Sequence, residues 1–133
     1  MPLHWTISHR HGLVLAIARN HVTFEDIDGY LTALVAERAL PYRKLFDLSF
    51  APAALPVEHV RRLADRARTL KIDYVLGPVA VVVGSDDAQA AAQLYAKLAT
   101  AERPITVFRD ITEARPWLDA QPLPFGRTPP RRR

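Results

Sequence analysis

A chain of 133 residues with a net charge of +4 and no cysteine is one domain by length, able to bury roughly two thirds of the surface its unfolded form exposes. The missing thiols exclude disulfides, cysteine nucleophiles and cysteine-ligated zinc or iron–sulfur clusters. No apolar run approaches the ~20 residues of a membrane helix, and Met1-Pro2-Leu3-His4-Trp5 lacks the charged-then-apolar build of a signal peptide, so a soluble cytoplasmic protein without membrane insertion is expected.

Leu3, Trp5 and Ile7 alternate with polar neighbours, the period of a strand with one buried face. After a turn at His9-Arg10-His11-Gly12, the fully apolar run Leu13 to Ala18 predicts a second strand, so a hairpin with the first strand nearer the edge is expected. Thr23 reads as an N-cap with an acid, Asp26, three residues on, and Phe24, Ile27, Leu31, Leu34 and Val35 recur at helical spacing. Arg38 and Pro41 mark the end of that helix. Gly29 within it predicts a close packing contact or some looseness.

Arg43 to Ser49 predicts a third strand, entered from solvent by basic residues and ending in the carboxylate of Asp47. The proline-broken loop Phe50 to Pro56 follows. In the next helix Val60, Leu63, Ala64, Ala67 and Leu70 face inward, while Arg61, Arg62, Arg66, Arg68 and Lys71 face out. Gly77-Pro78-Val79-Ala80-Val81-Val82-Val83-Gly84 is apolar at every strand position, so it has no watery face and reads as the centre of a sheet covered on both sides. Ser85 caps an alanine-rich helix from about Asp86 to Ala101. Pro104 to Phe108 is a fifth strand, and Thr112 can cap a short terminal helix through Trp117 and Leu118, which Pro116 should shorten or distort.

The resulting fold class is α/β: a single-domain mixed five-stranded sheet of order β-β-α-β-α-β-α-β-α over residues 1–118, parallel over its later strands. Residues 119–133 hold four prolines and four arginines with one acid, and are expected to be a disordered tail. With that tail set aside, 14 basic and 13 acidic side chains remain, so the folded part is nearly neutral.

With this element order, the chain resembles the STAS superfamily (sulfate transporter and anti-sigma-factor antagonist) in its SpoIIAA-like, or STAS/SEC14-like, branch. The residues that carry the likeness are Leu45-Phe46-Asp47-Leu48, Val60-Arg61-Arg62-Leu63-Ala64, Val107-Phe108-Arg109-Asp110 and Trp117-Leu118. The resemblance implies a non-enzymatic regulatory module that binds a protein partner or a small ligand, sometimes switched by phosphorylation of a serine at the start of the second helix. That position falls at Pro56 and Val57, which have no hydroxyl. A lipid cavity of the larger SEC14 kind needs more chain than this.

The candidate sites follow from the expected layout. Ligands of open α/β sheets sit at the carboxyl ends of strands, near a reversal of strand order, where Asp47, Ser49, Ser85, Asp86, Asp87, Arg109 and Asp110 are delivered. Asp47, Asp86 and Arg109 there define the alternative reading, a small enzyme or metabolite-binding protein; helix caps and an Arg109 salt bridge are the simpler account. His9 and His11 share one side of a continued strand, but with no third ligand no metal is expected, and no cofactor. Phe50 and Leu55 in the loop either seal the core or present a patch to a protein partner or a second subunit. Arg61 on the outer face of the second helix joins them as a binding residue. Nucleic acid is not an expected partner on this reading, because Glu58 and Asp65 stand at pairing distance from Arg61 and Arg62 and no aromatic platform interleaves them.

Overall fold

The structure, a computed structural model, describes residues 2–51, 54–99 and 103–122. Local chemistry sets the elements. The alternating and apolar runs become β1 (Leu3–Ser8) and β2 (Leu13–Ala18), paired antiparallel with Leu3 opposite Ala18. Gly12 turns the hairpin at φ 60, a left-handed conformation in which a side chain would be strained. Helix α1 (Phe24–Ala36) opens with a reciprocal capping box: Asp26 N donates to Thr23 Oγ1 at 3.1 Å and Thr23 N to Asp26 Oδ2 at 2.9 Å. It closes with Arg38 at φ 59, where Ala39 N reaches Leu34 O and Arg38 N reaches Val35 O, the Schellman arrangement with arginine in the place usually given to glycine. No atom comes within 4 Å of a Cβ built on Gly29, so the close contact that was one expectation for it does not occur.

Strand β3 (Arg43–Leu48), helix α2 (Val57–Asp73), strand β4 (Val79–Val83), helix α3 (Asp86–Ala99), strand β5 (Ile105–Phe108) and helix α4 (Ile111–Ala120) complete the order. Pro56 is the N-cap of α2, and Ser85 Oγ accepts from Ala88 N at 3.1 Å at the start of α3. Asp110, rather than the expected Thr112, caps α4: its carboxylate accepts from Thr112 N at 2.9 Å and Thr112 Oγ1 at 2.7 Å. A short acidic side chain one residue earlier reaches the first free amides and suits the positive helix end. Pro116 lies inside α4, yet the helix continues to Ala120, two residues past the expected end of the domain at Leu118. The rest of the expected tail, 123–133, lies outside the described residues.

The sheet order is β1-β2-β3-β4-β5, with β2 through β5 parallel. Every residue of β4 is buried, as a strand without a polar face requires, although β3 rather than β4 is the geometric middle. Right-handed crossovers between neighbours that always advance in one direction put all three connecting helices on the same face. The larger core follows: Tyr30 and Leu34 of α1, Ala64, Ala67 and Leu70 of α2, and Ala88 and Ala92 of α3 pack over Val14, Phe46, Val79 and Val81. α4 alone covers the opposite face, where Ala114 and Leu118 meet Leu45, Ala80 and Val82.

Candidate functional site

A strand order that never reverses leaves no point where neighbouring crossover helices part to opposite faces, the place where a crevice at the carboxyl ends of strands forms. The residues expected there are accordingly dispersed. Asp47 is buried, and its Oδ1 accepts from Ser49 N at 2.9 Å and Ser49 Oγ at 2.5 Å, closing the strand in a local turn. Asp47 pairs in register with Val82, and Val82 with Phe108; the next residue, Arg109, turns to the other side and bonds Asp86 at 2.9 Å and Gln89 at 2.8 Å on α3. Asp86 is 96% exposed. Asp47 and the Asp86–Arg109 pair are therefore separate local structures and not one constellation.

The remaining candidates divide in the same way. His9 bonds Tyr42 Oη at 2.8 Å and Glu37 at 3.1 Å, while His11 Nδ1 bonds Ser8 Oγ at 2.9 Å; among the described residues no group of three potential ligands assembles. On α2, Arg62 lies 3.9 Å over the Phe24 ring, Arg66 joins Asp28 of α1 at 2.8 Å, and Asp65 pairs with Arg68 instead of Arg61 or Arg62. Arg62 and Arg66 thus fasten α2 to α1, Arg68 reaches Leu98 O of α3 at 3.2 Å, and Arg61 remains exposed. The described residues of the loop divide between the interior and the surface. Ala51, Ala54 and Leu55 wall the interior, while Phe50 is 60% exposed with Arg19 5.6 Å over its ring.

That interior is a cavity of about 140 Å³ between the sheet and helices α1 to α3. Its apolar wall includes Leu63, Ala67, Val81, Ala88 and Ala92. Alanines leave this space: where α2 and α3 face the sheet, short side chains fill less of the layer between them. One end is polar. Lys44 was expected to meet solvent at the strand's start, but it is 4% exposed, and Nζ donates to the carbonyls of Leu40 and, at 2.9 Å, Tyr42. Burial is the first cause that pushes its pKa well below the ordinary lysine value, and the charge of Arg103 is the second. Arg103 Nη2 donates to Tyr95 Oη at 2.9 Å. Tyr30 is 3% exposed, and burial, followed by the influence of Tyr95, pushes its hydroxyl far up; it stays protonated.

Sequence reasoning missed this end, although one signal was present. β3 carries apolar residues on both faces, Leu45 on one and Phe46 on the other, so a lysine alternating in phase with Phe46 has no route to water at right angles to the sheet. Arg103 offered no such signal. It lies in the connection before β5, and only the packing of α3 onto that edge carries it inward.

No protein-family model matches the chain, and no curated protein does. Among solved structures, the five-stranded sheet with three helices on one face and one on the other is a SpoIIAA-like fold. One solved structure to which it is similar is that of an uncharacterised protein of the DUF3478 family from Shewanella loihica PV-4, described as having a SpoIIAA-like fold. The two superpose with a TM-score of 0.60 over 87% of this chain and 93% of the other, at 15% sequence identity. Among the described residues, no helix is long and apolar enough to cross a membrane.

Proposed function

We propose that the protein is a non-enzymatic SpoIIAA-like binding module whose ligand is a small, mainly apolar molecule held between the sheet and α1 to α3. The observation that carries this reading is the cavity of about 140 Å³, close to the ~150 Å³ of an engineered apolar cavity that stays dry and binds benzene. A void of that size costs stability unless something occupies it. The wall formed by Ala51, Ala54 and Leu55 gives the loop before α2 a part in holding the ligand.

Titration with 1-hexanol, followed by thermal unfolding, tests the reading. Saturable stabilisation is expected, about 1.4 kcal/mol at ten times the dissociation constant. Ala92→Leu, which fills the cavity from α3, should remove the response while the protein still unfolds cooperatively. A wild-type chain that shows no saturable response rules the ligand out.

A second reading, self-association, is favoured by one observation: Phe50 and Val57, which flank the loop, are 60% and 54% exposed. Light scattering decides it.

A further inference from the structure

The polar end of the cavity is cationic. Lys44 stands near the amino end of β3 and Arg103 two residues before β5, while Tyr30 and Tyr95 enter from α1 and α3. Among the described lining residues none is acidic. The donors here are only partly used. Arg103 gives one N–H to Tyr95, but its Nε and the Tyr30 hydroxyl are buried with no partner among the described residues. Lys44 gives two hydrogens to the Leu40 and Tyr42 carbonyls, and an ammonium has a third. Buried donors without an acceptor are costly, and two like charges in one apolar enclosure raise each other's energy.

Resting on the reading that the cavity takes a ligand, we infer that its occupant is a small amphipathic carboxylate whose oxygens accept from Arg103 Nε, Tyr30 Oη and Lys44 Nζ. Its apolar body lies along Leu63, Val81, Ala88 and Ala92. A neutral apolar molecule fills the same volume and leaves these donors unmet. The anion satisfies them and separates the two cations with an opposite charge. It also opposes both influences, burial and the Arg103 charge, that disfavour the Lys44 ammonium. Size follows from volume: a cavity near that of the benzene-binding example accepts a body of about six carbons.

Calorimetric titration of the full chain with hexanoate and with 1-hexanol, which share an alkyl chain and differ in charge, separates this inference from the one beneath it. Hexanoate is expected to bind about tenfold or more tightly, the effect of hydrogen bonds to a charged group. Tyr30→Phe and Arg103→Met should each weaken hexanoate by about tenfold and leave 1-hexanol within about twofold. Equal binding of the two compounds by the wild-type chain, or hexanoate binding that survives both substitutions, overturns the carboxylate and leaves the cavity reading standing, because 1-hexanol still binds. Binding of neither compound overturns both. Tyr30→Phe removes only a hydroxyl with no partner among the described residues, so the test stands even where Arg103→Met fails to fold.

Discussion

Lys44 is the residue whose surroundings depart furthest from what its side chain prefers. Burial favours the neutral amine, and the groups that face it from the packed elements are Tyr30 of α1, Tyr95 of α3 and the cation Arg103, with no described acid among them. Its pKa in the folded protein is lowered, so between that value and the ~10.4 of an unfolded lysine the unfolded chain holds more protons. Stability contributed by this position therefore rises with pH across that window and is smallest below it. Urea unfolding of the wild type and Lys44→Met at pH 6, 8 and 10 should show the wild type gaining on the variant as pH rises. A constant difference would mean that Lys44 is not held in a state that disfavours its charge. Asp47 is a contrasting case: also buried, it has its acceptor demand met by Ser49 at 2.9 and 2.5 Å.

At the scale of elements, the turn between α1 and β3 supports the polar end of the cavity. Leu40 O accepts from Gly77 N at 2.8 Å as well as from Lys44. A Cβ on Gly77 would sit 2.3 Å from both the Pro41 and the Tyr42 carbonyl oxygens. These are backbone atoms that cannot rotate aside, so glycine is required by the close approach of two chain segments. Gly77→Ala should cost at least ~2 kcal/mol, seen as a lowered urea midpoint, and should weaken 1-hexanol binding by displacing the carbonyls that anchor Lys44. A variant with wild-type stability would show that the two segments separate easily. Much at this scale was legible in the sequence. The Thr23 capping box, the Ser85 cap, the β1–β2 hairpin and the fully buried β4 each follow from a few neighbouring residues. The Asp110 cap was misread because Asp110 and Thr112 both suit a helix start, and only the backbone conformation at Asp110, φ −133 and ψ 121, distinguishes them.

For the whole molecule, the direction of the crossovers decides where function can lie. A monotone strand order places α1, α2 and α3 on one face, so the thick core and its cavity occur there, while among the described residues the carboxyl-end rim carries the separate Asp47–Ser49 and Asp86–Arg109 pairs. The exposed Phe50 and Val57 lie outside that core, which makes self-association separable from ligand binding. Under the second reading, Phe50→Ser should shift the light-scattering mass from dimer to monomer while leaving 1-hexanol binding unchanged. A wild-type monomer at every concentration would exclude it.

The sequence by itself determined the type and order of the elements, the two-sided burial of Val79 to Val83, and hence an α/β domain. These rest on periodicity, capping and backbone sterics, which act over a few residues. Only the tertiary structure decided that Asp47 and Arg109 part company, that Lys44 is internal, and that Arg103 and Tyr30 meet it beside a space left by alanines of α2 and α3. A cavity is a shortfall of volume among distant side chains, and its polar lining is a matter of which of them converge; neither quantity exists until the helices are laid on the sheet.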